Sequence, residues 1–152
     1  MCLWQEIKDF LISSAYMKIE TGAYLFFINS EWVTESGLKP FSKTADHYLY
    51  KLKPDQTGPV IIVNHNEIDP NIRGKDIPIF KNGIVDGMSV SAKERVLNIL
   101  TAIEQNTELA PVEIRKAENG PYKYKLHSGC HRLHLSILAG FKSIPAILIT
   151  WL

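Results

Sequence analysis

The chain is short of cysteine, of net charge and of long apolar runs, and each shortage removes a class of protein. Cys2 and Cys130 are the only cysteines in 152 residues. That is too few for the disulfide framework of a small secreted scaffold, so a reducing, cytoplasmic setting is expected. A formal net charge of +1 excludes whole-molecule attraction to nucleic acid or anionic membrane and leaves any such binding to a local patch. No apolar run approaches the roughly 20 residues of a membrane span, and no membrane partner is expected. The opening MCLWQEIKDFLISS carries Glu6, Lys8 and Asp9 where a signal peptide needs an unbroken apolar core. Internal repeats and low-complexity tracts are also missing, which excludes solenoid and fibrous architectures.

What is present is ordinary globular material, 45% hydrophobic and 22% charged, long enough to bury a core without staples. Leu3, Trp4, Ile7, Phe10 and Leu11 recur at helical spacing and predict an amphipathic helix over 3–15. GAYLFFIN (22–29) and the alternating HYLYKLK (47–53) read as strands. PDQTG (54–58) is a turn cluster. PVIIVNHNEI opens a strand at 59 that is too apolar for a solvated sheet edge. Pro70, Gly74, Pro78, Gly83 and Gly87 break all periodicity between 69 and 89, so a long loop is expected there. Val96, Leu97, Leu100 and Ile103 share one face and place a helix over 91–105, capped by Ser89 or Ser91. PVEIRKA and YKYKLH flank ENGP, whose Asn-Gly pair signals a hairpin. Residues 130–139 follow as a helix, with Leu133, Ile137 and Phe141 spaced by four and Gly140 suited to the C-cap. The alternation Leu133, Leu135, Ile137 would equally suit a strand. SIPAILIT (143–150) closes the chain as an apolar strand.

The chemistry-bearing stretch is KLHSGCHRLHLSILAG, residues 125–140. A glycine turn feeding a helix exposes several N–H groups, and the helix dipole adds partial positive charge, which together suit an anion. Arg132 adds a planar fork for phosphate oxygens. Cys130 at the helix start would feel the same field, which favours thiolate and lowers a thiol's pKa. Residues 111–152 carry six Lys and Arg against two Glu, a local +4. A small hydrophobe on a tight turn would leave the same cysteine, and His131 could instead hold the loop through a backbone carbonyl. His127, Cys130, His131 and His134 fall within eight residues. One short segment cannot wrap a tetrahedron, however, so no metal site is expected.

SGCHR, preceded by an aromatic-rich strand and followed by a helix and an IPA strand, resembles the sulfiredoxins, whose signature is Phe-Gly-Gly-Cys-His-Arg. The wider layout resembles the ParB/sulfiredoxin superfamily: VNHNEIDPN, a helix ending AIEQNTELAPVEI, a hairpin, GCHR and IPAIL. The resemblance implies an α+β fold over 58–152, a small mixed sheet with helices packed against it, with residues 1–57 as an N-terminal α/β extension. It implies ATP with Mg2+ as cofactors and Cys130 as the catalytic thiol. His131 and Arg132 would contact the ATP phosphates, with Gly129 supplying the turn and Ser128 able to donate to a phosphate. Lys93 matches the lysine that opens the family's preceding helix, and Arg95 and Asn98 are the further ATP contacts there. The departures are Ser128, where the family has its first glycine, and His127, where it has phenylalanine.

The expected function is therefore sulfiredoxin-like, ATP-dependent reduction of a cysteine sulfinic acid on a partner such as a peroxiredoxin. A sulfinate is an anion and a poor electrophile, and its activation needs phosphoryl transfer, which is catalysed mainly by positioning and charge stabilisation. A nearby thiolate then attacks the activated sulfur. ParB-like members share the Gly-x-x-Arg core and normally lack the cysteine. The alternative is a ParB-like nucleotide- and DNA-associated module, or a nuclease, with nucleic acid as partner. No helix-turn-helix pattern follows before Leu152, which is expected to count against a partition protein and not against a small nuclease. A small-molecule kinase on the same cradle is the third reading. Phosphate binding is common to all three.

Overall fold

The computed structural model describes residues 16–21, 24–70 and 92–150. Along these the chain forms β1 (Tyr16–Thr21), β2 (Tyr24–Asn29), α1 (Ser30–Ser36), β3 (Ile61–Asn64), a 3-10 turn (His65–Glu67) and β4 (Ile68–Asp69). Then come α2 (Ala92–Glu104), β5 (Val112–Lys116), β6 (Tyr124–Ser128), α3 (Cys130–Ala139) and β7 (Ser143–Leu148). The helix expected over 3–15, the Ser89 or Ser91 cap and nearly all of the 69–89 loop lie outside the described residues. The fold is α+β. A two-stranded antiparallel ribbon, β1–β2, stands apart from a five-stranded mixed sheet in the order β3-β7-β5-β6-β4. Among the described residues no helix is long and apolar enough to cross a membrane.

β7 lies inside the sheet, parallel to β5 and antiparallel to β3. Its first five residues are buried, as befits a strand covered on both faces. β5 pairs antiparallel with β6, and β6 pairs parallel with the short β4. α1 packs on α2 and α2 on α3. α2 follows its sequence periodicity, with Val96, Leu100 and Ile103 fully or almost fully buried. α3 is enclosed on nearly every side: Leu133, His134, Leu135, Ser136, Leu138 and Ala139 have no exposed surface. That rules for the helical spacing over the strand alternation in the same residues.

Gly140 ends α3 at φ +109 and donates to the Ile137 carbonyl. A Cβ there would lie 3.0 Å from the Phe41 carbonyl carbon. The room goes to residues 41–43, whose Phe41 and Lys43 amides donate to the Leu138 and Ala139 carbonyls at 2.8 and 3.0 Å. A segment far upstream thus satisfies carbonyls that a helix end leaves open. Ile28, Trp32, Val33, Leu38 and Tyr48 share one apolar cluster with Val63, Leu100, Val112, Leu133 and Ile144. Residues on both sides of the 57/58 boundary therefore pack into the same core.

Two expectations need correction. Residues 47–53 are not a strand; a single parallel bridge joins Tyr50 to Leu109, and the Lys53 N–H and carbonyl bond Gln56 instead of a neighbouring strand. Of this segment only Tyr48 is buried, at 3% exposure, while Leu49, Tyr50 and Leu52 are exposed. β3 does sit at a sheet edge, and Ile62 is 43% exposed. Only Val63 of its four residues is buried, so a short apolar run was mistaken for a two-sided one. The hairpin expected around ENGP forms: β5 and β6 pair antiparallel across a connection at 117–123. Gly120 within it takes the left-handed conformation, φ +94, as the Asn-Gly signal anticipated.

Candidate functional site

β6 delivers the chain to Gly129, which is the N-cap of α3 at φ +105 and ψ 31, with no side-chain cap on the helix. Glycine is required here twice over. The conformation is one that L side chains rarely adopt, and a Cβ would fall 2.6 Å from Val112 Cγ1 and 3.0 Å from Arg132 Nη2. The turn is therefore pressed against the start of β5. Leu133 N–H closes the first helical bond to the Gly129 carbonyl at 2.9 Å. The first turn of α3 contains no acidic residue, so its positive end is not neutralised from within.

This turn forms one side of a cleft of about 520 Å³. Ser128 through Arg132 line it together with Arg95 and Ile99 of α2, Leu109 and Ala110, and Lys53. Three cationic residues, Lys53, Arg95 and Arg132, line this space, and no carboxylate is among its described lining residues. Arg132 is held in place: its Nη1 donates to the Ala110 carbonyl at 3.1 Å. The Tyr48 hydroxyl donates to the same carbonyl at 2.7 Å. Burial raises the Tyr48 pKa above its usual value, with the Arg132 charge pulling weakly the other way, so the phenol stays a donor.

Of the residues singled out from the sequence, Ser128, Gly129, Cys130, His131, Arg132 and Arg95 meet in the cleft. Lys93 does not line it; two residues from Arg95 is about 200° around a helix, and Lys93 instead pairs with Glu35 of α1 at 3.2 Å. Asn98 is exposed and likewise outside the lining. Lys53, Ile99, Leu109 and Ala110 were not anticipated. Helical spacing from Arg95 would have found Ile99, while Lys53 carried no local signal.

Cys130 differs from the expected activated thiol. It is half-buried, and burial pushes its pKa up to about 11. The nearest imidazole does not relieve this. His134 Nδ1 lies 3.6 Å from Cys130 Sγ but 2.6 Å from the Cys130 carbonyl oxygen. A carbonyl only accepts, so Nδ1 carries the proton and cannot take one from the thiol. His134 has no exposed surface, and burial lowers its pKa to about 4, so it is neutral and offers the thiolate no cation. Burial thus acts against the field of the helix terminus. A second buried imidazole, His65, bonds Ser136 Oγ at 2.8 Å and has its pKa lowered to about 4, mainly by burial. Among the described residues no group of three or more His, Cys, Asp or Glu could hold a metal ion.

The family model of the ParB N-terminal domain matches residues 64–151, more than half of the chain. No curated protein matches the sequence.

Proposed function

The chain belongs to the ParB N-terminal domain family, within the ParB/sulfiredoxin superfamily, and from that premise we propose that its cleft binds the phosphate chain of a nucleotide, with ATP as the ligand to try first. The observation that carries this reading is the lining of the cleft: Lys53, Arg95 and Arg132 around a glycine turn at a helix start, with no carboxylate among the described lining residues. Oxyanions fit such a donor set. Arg132 offers a planar fork, and the N–H groups of the first turn of α3 add donors that need no side chain. Mg2+ would arrive on the phosphates, since the described lining supplies no carboxylate to hold it. The module would thus be a ParB-like nucleotide-binding unit, and any nucleic-acid contact would be a further property of it.

Sulfinate reduction is the second reading, and one observation favours it: Cys130 lines the same cleft as the cations. That chemistry asks for a thiolate, and the buried thiol beside a neutral, Nδ1-protonated His134 weighs against it. Phosphate binding therefore leads, and thiol chemistry follows only if Cys130 ionises with ligand bound.

Calorimetry with ATP and with inorganic tripolyphosphate tests the proposal. Both should bind, and Arg132→Ala should weaken each by about 1.5–3 kcal/mol, as for a charge-assisted hydrogen bond. Binding of neither compound, or equal binding by Arg132→Ala, would remove the phosphate reading. To separate the two readings, ATP turnover with a sulfinylated peroxiredoxin present should equal turnover without it. A rise that Cys130→Ser abolishes would put sulfinate reduction first.

A further inference from the structure

The family match begins at Asn64, yet one wall of the cleft comes from upstream. The carbonyls of Leu109, Ala110 and Pro111 are consecutive, and each accepts a hydrogen bond from residues 48–56. Lys51 N–H reaches the Leu109 carbonyl at 3.1 Å, the Tyr48 hydroxyl reaches Ala110 at 2.7 Å, and Gln56 Nε2 reaches Pro111 at 3.2 Å. The Leu109 amide returns a bond to Leu49 at 2.9 Å. The middle carbonyl of this trio is the one that anchors Arg132.

Within that segment the backbone of Lys53 is pinned at both polar groups. Its N–H donates to Gln56 Oε1 at 3.0 Å, and its carbonyl accepts from Gln56 N–H at 3.0 Å. Gln56 is itself buried, and its amide also engages Glu113 Oε2 at 3.1 Å. Lys53 is exposed and makes no ion pair among the described residues. It lines the cleft with Arg95 and Arg132.

We infer that residues 47–56 complete the ligand site from outside the matched domain, with Lys53 as a phosphate-contacting residue that fits the cleft to a di- or triphosphate better than to a monophosphate. The inference rests on the phosphate-binding reading above. Three separated cations are matched by a chain of phosphates, whereas a single phosphate reaches only one or two of them. Gln56 is then a positioning residue, acting through the backbone of Lys53.

The test titrates ATP and AMP into wild type, Lys53→Met, Lys53→Arg and Arg132→Ala, with the melting temperature of each recorded without ligand. Lys53→Met should keep the wild-type melting temperature, because the side chain is exposed. It should weaken ATP about tenfold, the lower end for a charged hydrogen bond, and AMP less than about twofold. Lys53→Arg should restore most of the ATP affinity. Wild-type ATP affinity in Lys53→Met, with Arg132→Ala impaired, would sink the role of Lys53 and leave the phosphate reading standing. Equal losses for ATP and AMP would overturn the polyphosphate preference. Wild type that binds neither ATP nor tripolyphosphate would end both.

Discussion

Gly129→Ala puts the turn itself under test. At φ +105 an alanine pays the left-handed penalty of roughly 1–2 kcal/mol. Its Cβ would also lie 2.6 Å from Val112 Cγ1, about 1 Å inside the usual 3.5–4.0 Å carbon contact. Val112 has no exposed surface, so relief requires moving β5 or the turn, which adds about 1–3 kcal/mol of overpacking. The sum is about 3 kcal/mol or more, and the melting temperature of a domain this size should fall by about 10 °C. The same Cβ would sit 3.0 Å from Arg132 Nη2, so ligand affinity should drop with stability. Urea or thermal denaturation gives the first number and calorimetry the second. Adding Val112→Ala removes the closest atom and should recover about 1 kcal/mol relative to additivity. If Gly129→Ala loses less than about 0.5 kcal/mol, or Val112→Ala shows no coupling to it, the turn is not packed as described.

Two further outcomes follow from the buried groups. Cys130, with its pKa pushed up to about 11, should react with iodoacetamide at pH 8 much more slowly than a small free thiol, because only about 0.1% is thiolate against roughly a quarter for a free thiol; alkylation at the free-thiol rate would refute its burial. His65 and His134 have folded pKa values near 4, below the ordinary 6.5. The unfolded chain therefore binds their protons first, and stability should fall as pH drops from about 6.5 to 4, by up to roughly 3 kcal/mol per histidine. Urea midpoints flat across that window, or an unchanged slope in His134→Leu, would contradict the assignment.

The sequence was informative wherever the determining contacts are local. α2 and α3 followed from apolar spacing, Gly140 from its place after the last periodic residue, and the Gly129–Arg132 quartet from a strand-turn-helix that is contiguous in the chain. It was silent where partners are distant. Tyr48 meets Ala110 across 62 positions, and Gln56 meets Pro111 across 55. Nothing near Lys53 announces that it lines the same cleft as Arg132. HYLYKLK read as a strand because its residue types alternate, although only Tyr48 of the segment is buried. The thiol was misread for a related reason. The helix terminus that favours thiolate is visible in the sequence, while the burial that opposes it comes from packing. Arg95 and Lys93 differ only in helical angle, which decides that one lines the cleft and the other reaches Glu35.

Amide shift mapping tests the central claim most directly. ¹⁵N-labelled protein titrated with ATP should show its largest changes from Ser128 to Leu133, whose N–H groups form the turn and first helical residues, with smaller ones at Lys53, Arg95 and Ala110. Saturable shifts at those positions are the predicted result. Shifts centred instead on the separate hollow formed by His47, Leu49, Tyr50 and Asn106–Glu108, with Gly129 through Arg132 unmoved, would contradict it.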